Sequence, residues 1–108
     1  MKQLYINEIL CIVGSNSKEN WQILDESNEE NIFFHLSSFP SCYVILKTIE
    51  MPSVDVLKEA AKICKMNTKY KNIPNLKVDY TLCKNIIKGD KEGEIIYKSN
   101  KKVKQIIV

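Results

Sequence analysis

The chain has 108 residues and a mass of 12.5 kDa, 44% hydrophobic and 27% charged, which is enough apolar material for one core and a single domain over residues 1–108. Three Gly, three Pro and no biased tract exclude a low-complexity or disordered chain, and the longest apolar run, Ile9 to Val13, is too short to span a bilayer. Net charge is +3, but residues 1–50 carry 3 Lys and 7 acids whereas residues 51–108 carry 13 Lys and 6 acids, so the second half is the one suited to an anionic partner.

In chain order, Ile9–Val13 reads as a strand ended by Gly14. Asn16 followed by Glu19 resembles a capping box and opens a short helix through Trp21, Ile23 and Leu24. The acidic stretch Asp25–Glu30 is a loop. Ile32–His35 and Cys42–Lys47 are two strands around the turn chemistry of Ser37–Ser41. Ser53 then caps the strongest helix, with Leu57, Ala60, Ala61 and Cys64 on one face and Lys58, Lys62, Lys65 and Lys69 on another. Thr68–Pro74 is loop, and Leu76, Val78 and Tyr80 alternate with Lys77, Asp79 and Thr81 as a strand. Lys84 and Lys88 bracket Ile86 and Ile87, Gly89–Gly93 turns the chain, Ile95–Tyr97 runs back, and Val103–Val108 is a final strand. The fold class expected is α+β: a single domain with a mixed, mostly antiparallel sheet and two helices packed against it.

Four cysteines, Cys11, Cys42, Cys64 and Cys83, have none of the short spacings of a zinc site, so no metal and no cofactor is expected, and reduced thiols point to an intracellular protein. His35 is the single histidine. It could orient a phosphate or base, or it could be a buried structural residue, but nothing in the sequence completes a nucleophilic constellation with it, and an enzyme is not expected. The constellation that carries chemistry is Lys65, Lys69, Lys71, Lys77, Lys84 and Lys88 interleaved with Tyr70 and Tyr80. Lysines neutralise phosphates and tyrosine faces stack on unpaired bases, with Tyr70 the better stacking candidate and Tyr80 the better core candidate. All 16 basic residues are Lys, which gives point charges rather than the planar fork that reads guanine, so recognition is expected to be directed at phosphate with little sequence preference.

Gly14 to Leu24 (GSNSKENWQIL), Asn31 to His35 (NIFFH), Pro40 to Ile45 (PSCYVI), the helix with Ala60-Ala61, Lys77 to Lys88 (KVDYTLCKNIIK) and Gly93 to Tyr97 (GEIIY) follow one another in a recognisable order. This pattern resembles the NFACT-R domain, the RNA-binding module of ribosome quality-control proteins of the Rqc2, NEMF and RqcH type, which also occurs as small stand-alone proteins. The resemblance implies RNA binding, with tRNA, ribosomal RNA or the ribosome as partner, and leaves open whether DNA competes. It also implies a nucleic-acid-contacting role for His35, Thr81, Lys84 and Lys88; the reduced thiols and the short apolar runs make the expected location cytoplasmic or nuclear, without membrane attachment. The chain departs from the pattern at Ser15, Asn31, Phe33, Tyr43 and Glu92. The alternatives are a protein-interaction module using the acidic loop or the last strand's edge, and an RNA-modifying enzyme built on His35.

Overall fold

A computed structural model describes residues 1–108. Eight strands and two α-helices follow one another in chain order: β1 (Lys2–Ile6), β2 (Ile9–Val13), α1 (Ser17–Asp25), β3 (Ile32–Leu36), β4 (Val44–Leu46), α2 (Val54–Met66), β5 (Lys77–Leu82), β6 (Ile86–Lys88), β7 (Ile95–Tyr97) and β8 (Lys104–Ile107). Six strands form one sheet in the order β1-β2-β4-β3-β5-β8, and β6 and β7 make a separate two-stranded hairpin. Every pairing is antiparallel. The α+β architecture with two helices on a sheet is therefore as the residues foretell. The added features are β1, which no apolar run announces, and β6, which pairs with β7 across the Gly89–Gly93 turn.

The two helices pack on opposite faces, because β3 and β4 are apolar at every position but one and bury both sides. On one face, Cys11, Val13, Ile32, Phe34, Leu36, Val44, Leu46 and Val78 meet Val56, Leu57, Ala60, Ala61 and Cys64 of α2. The small side chains of Ala60 and Ala61 let the helix lie close to the sheet, and Ser53 caps it by accepting from the Val56 N–H. On the other face, Phe33, Tyr43 and Ile45 meet Ile23 of α1 and Cys83. Asn16 caps α1 by accepting from the Glu19 N–H, while the Glu19 carboxylate reaches back to the N–H of Ser15 at 3.0 Å.

The β6–β7 hairpin is fastened over this second core. Trp21 Nε1 donates to the Glu94 carbonyl at 3.0 Å, and Tyr43 donates its hydroxyl proton to the Gly93 carbonyl. Gly93 sits at φ +88° with its Cα hydrogen against Ser17, a place where a side chain would be strained and would collide. Gly14 is equally constrained, since a Cβ there would run into the Asn20 carboxamide that accepts from the Tyr43 N–H.

Candidate nucleic-acid interface

The residues singled out above do not come together in one place. Lys77 and Leu82 stand at opposite ends of β5, roughly 17 Å apart at the rise of a strand. Lys65, Lys69, Tyr70 and Lys71 lie at the Lys77 end, beside the chain's last residue: Lys65 Nζ donates to the Val108 carbonyl at 3.0 Å, and Val108 exchanges backbone bonds with Leu76. Tyr70 stacks on Phe39, with ring centroids 4.3 Å apart, and the Lys69 ammonium lies 5.4 Å from the Tyr70 ring centre. Lys84 stands beyond the other end of β5. Lys88, on β6, pairs with Asp25 at 2.5 Å and lies 5.0 Å above the Trp21 ring, so it ties the hairpin to α1.

Near Lys84 the structure assembles lysines that the sequence reading passed over. A cleft of about 760 Å³ is lined by Lys84, Lys98, Lys101, Lys102 and Lys104, with Glu29 as its one acidic wall residue. Ile32, Leu82, Met51 and Tyr80 are its apolar lining, with Tyr80 stacked on Phe34 at 5.7 Å. Lys84 is paired with Glu30 at 2.9 Å on the exposed surface, an attraction worth about 1 kcal/mol at most and readily exchanged for a phosphate. The fold's ion pairs use neither Lys98, Lys101, Lys102 nor Lys104, so these four ammonium groups stand free for an anion.

Thr81 and Asn85 hold that wall in place. Thr81 is 5% exposed and Asn85 is buried with it. The Thr81 hydroxyl donates to the Lys102 carbonyl at 3.0 Å and accepts from Asn85 Nδ2 at 3.1 Å. Asn85 Nδ2 also donates to the Ser99 carbonyl, and Asn85 Oδ1 accepts from the Ser99 N–H, each at 2.9 Å. The backbone adds a Lys98 N–H to Asn85 carbonyl bond at 2.8 Å. Buried polar groups this fully paired fix a segment's path, so Thr81, which lines the cleft together with Asn85, also positions the lysines. The sequence signal for the site was the density of four lysines within residues 98–104, which reads as a polar turn until Asn85 and Thr81 are seen to grip it.

His35 lies elsewhere, on the sheet face that carries the hairpin. Its ring is nearly parallel to Phe33 at 6.2 Å and edge-on to Tyr43 at 5.7 Å, and its Nδ1 faces the Leu36 carbonyl at 2.7 Å. Asp79, its partner across the strands, is occupied by Tyr97 Oη at 3.1 Å and Gln105 Nε2 at 3.0 Å. Burial pushes the His35 imidazole below its ordinary value, against smaller upward contributions from the Leu36 carbonyl and the Asp79 charge. The unfolded chain accordingly takes up a proton that the fold refuses, so His35 supports stability above about pH 6.5, and that support is lost as pH falls toward the lower folded value. Urea unfolding is expected to show a lower midpoint at pH 5.5 than at 7.5, with a flatter dependence in His35→Phe.

Residues 4–104 match the family described as the NFACT protein RNA binding domain. The Rqc2 homolog RqcH of Bacillus subtilis (strain 168) is 28% identical over 94 residues, which cover 84% of this chain and 16% of that protein. The solved C-terminal part of the fibronectin/fibrinogen-binding protein from Streptococcus suis superposes with a TM-score of 0.87 at 22% identity, over 98% of this chain and 43% of that one. At that identity the second likeness speaks to the fold alone. The family match, spanning all eight strands in whole or part and both helices, establishes that this chain belongs to the NFACT RNA-binding domain family.

Proposed function

We propose that the domain binds structured RNA, tRNA or ribosomal RNA, by seating phosphates in the cleft between Lys84 and the Lys98–Lys104 segment. The observation that carries this reading is five lysines around one cleft against a single wall carboxylate. Lys65, Lys69, Lys71 and Lys77, from the end of α2, the loop after it and the start of β5, are a second set of lysines, which an RNA of more than about three nucleotides would reach after leaving the cleft, given the roughly 17 Å between the ends of β5. Thr81 anchors the Lys98–Lys104 segment, whereas His35 packs against Phe33 and Tyr43 away from the cleft and Lys88 is engaged by Asp25 and Trp21. With ribosome quality-control proteins as its relatives, the domain is read as a cytoplasmic binding module that acts at the translation machinery and performs no catalysis itself. No helix is long and apolar enough to cross a membrane.

Four to five phosphates neutralised in the cleft give a salt dependence of log affinity on log salt of about −3, at roughly −0.7 per contact for an unpaired strand. The test is fluorescence anisotropy with a labelled RNA hairpin between 50 and 400 mM salt, repeated with the DNA of the same sequence. A slope near −3 supports the reading. A slope flatter than about −1, or no binding at low salt, contradicts it.

A further inference from the structure

A second cleft, of about 510 Å³, opens beside the start of α1 and is lined by Lys2, Asn67, Ser41 and Cys42. It shares no residue with the lysine cleft. Cys42 is half-buried there, whereas Cys11, Cys64 and Cys83 are buried, so it is the thiol that solvent reaches. Behind it, Cys64 projects from α2. Cys42 Sγ lies 3.7 Å from the Cys64 carbonyl and Cys64 Sγ lies 3.8 Å from the Cys42 carbonyl, so each thiol faces the other residue's backbone. Ser41 Oγ stands 3.9 Å from Cys64 Sγ and accepts from the Leu36 N–H at 3.0 Å, which pins the chain on the Cys42 side of the gap.

We infer that Cys42 and Cys64 are a peroxide-oxidisable dithiol that closes to a disulfide joining the β3–β4 loop to α2. The chemistry is asymmetric. The Cys64 S–H and the Lys2 ammonium favour the Cys42 thiolate and hold that thiol below its ordinary value, against the opposing effect of burial. Burial pushes Cys11 up to about 12, with the Cys42 charge adding to it, which keeps Cys11 protonated and inert. The Cys42 thiolate attacks one oxygen of hydrogen peroxide and the O–O bond breaks; with one proton taken up, the products are Cys42 sulfenic acid and water. The Cys64 sulfur then attacks the sulfenic sulfur, the S–O bond breaks, and the Cys64 proton leaves with the hydroxide as a second water. Two thiols are oxidised and one peroxide is reduced. The bond spans 22 positions of the chain, from the turn before β4 to the last turn of α2.

The test treats the full chain with one equivalent of hydrogen peroxide at pH 7.5, followed by intact mass and non-reducing peptide mapping. The expected product is a monomer about 2 Da lighter with Cys42 linked to Cys64. In Cys64→Ser, dimedone is expected to trap a sulfenic acid at Cys42. Because Cys64 is wholly buried, the unmodified chain supplies an independent readout: limited iodoacetamide should label Cys42 before the other three thiols and block the mass loss. A link to Cys11 or Cys83, a Cys42-linked dimer, oxygen addition without a link, or no reaction where free cysteine is oxidised would overturn the inference.

Discussion

Replacing Lys98, Lys101 and Lys102 together by Ala is expected to weaken RNA binding roughly 50-fold at 0.15 M salt, since each lost phosphate contact removes about a fourfold factor at that ionic strength. The three side chains are exposed and their ammonium groups enter none of the fold's ion pairs, so the circular dichroism spectrum and unfolding midpoint should change little. The salt slope should become shallower by about 2, and at about 1 M salt the variant and the parent should bind alike. That convergence separates a lost electrostatic contact from a damaged fold, which would weaken binding at every salt concentration. Substituting Lys69, Lys71 and Lys77 in the same way is expected to cost a short RNA about fivefold or less, because those residues sit at the far end of β5. Since only lysine supplies the charge, unrelated RNA sequences should lose affinity by similar factors.

The largest stability effect is expected at Asn85. Asn85→Ala removes three side-chain hydrogen bonds, those to Thr81, to the Ser99 carbonyl and from the Ser99 N–H, in a buried setting. At about 1 kcal/mol for each neutral bond the loss is about 3 kcal/mol, which for a domain of this size lowers the melting temperature by roughly 10 to 15 °C. Thr81→Val deletes one donor and one acceptor of the same network and keeps the shape, so a smaller loss of about 1 to 2 kcal/mol is expected. Both substitutions should also weaken RNA binding, because the Lys98–Lys104 wall loses its anchor. Differential scanning calorimetry and the anisotropy assay on the same samples check the pair. An unchanged melting temperature in Asn85→Ala would show that the network does not hold the segment.

The parts of the fold legible from residues were those with local causes. Ser53, the alternation of large and small apolar residues through Cys64, and Asn67 at the far end wrote α2 into the sequence, and Asn16 with Glu19 did the same for α1. β1 was hidden because only Leu4 and Ile6 alternate inward, and because its turn lacks a glycine: Asn7 and Glu8 take φ values of 46° and 70°, the backbone of a two-residue hairpin usually built with Asn-Gly. Tyr80 was legible by parity, sharing the α2 face with Val78 and stacking on Phe34.

The site was less legible for a reason of distance. Lys84 and the lysines of residues 98–104 are separated by a whole hairpin, and nothing local brings them together. The convergence is made by Asn85, a polar residue whose importance follows from its burial rather than its type. Lys88 illustrates the reverse: it fits a basic ridge in sequence, yet Asp25 and Trp21, both from α1, hold its ammonium group. The apposition of Cys42 with Cys64 is equally non-local, since it depends on α2 crossing β3 and β4.

The central claim, that RNA seats in the cleft behind β5, is tested most directly by titrating an isotopically labelled domain with a short RNA hairpin and following backbone amide shifts by NMR. The account predicts the largest changes at Leu82–Asn85 and Lys98–Lys104, with smaller ones toward Lys77. Changes centred on α1, on the exposed face of α2 or around Tyr5 at the open β1 edge, with the Lys98–Lys104 amides still, would contradict it.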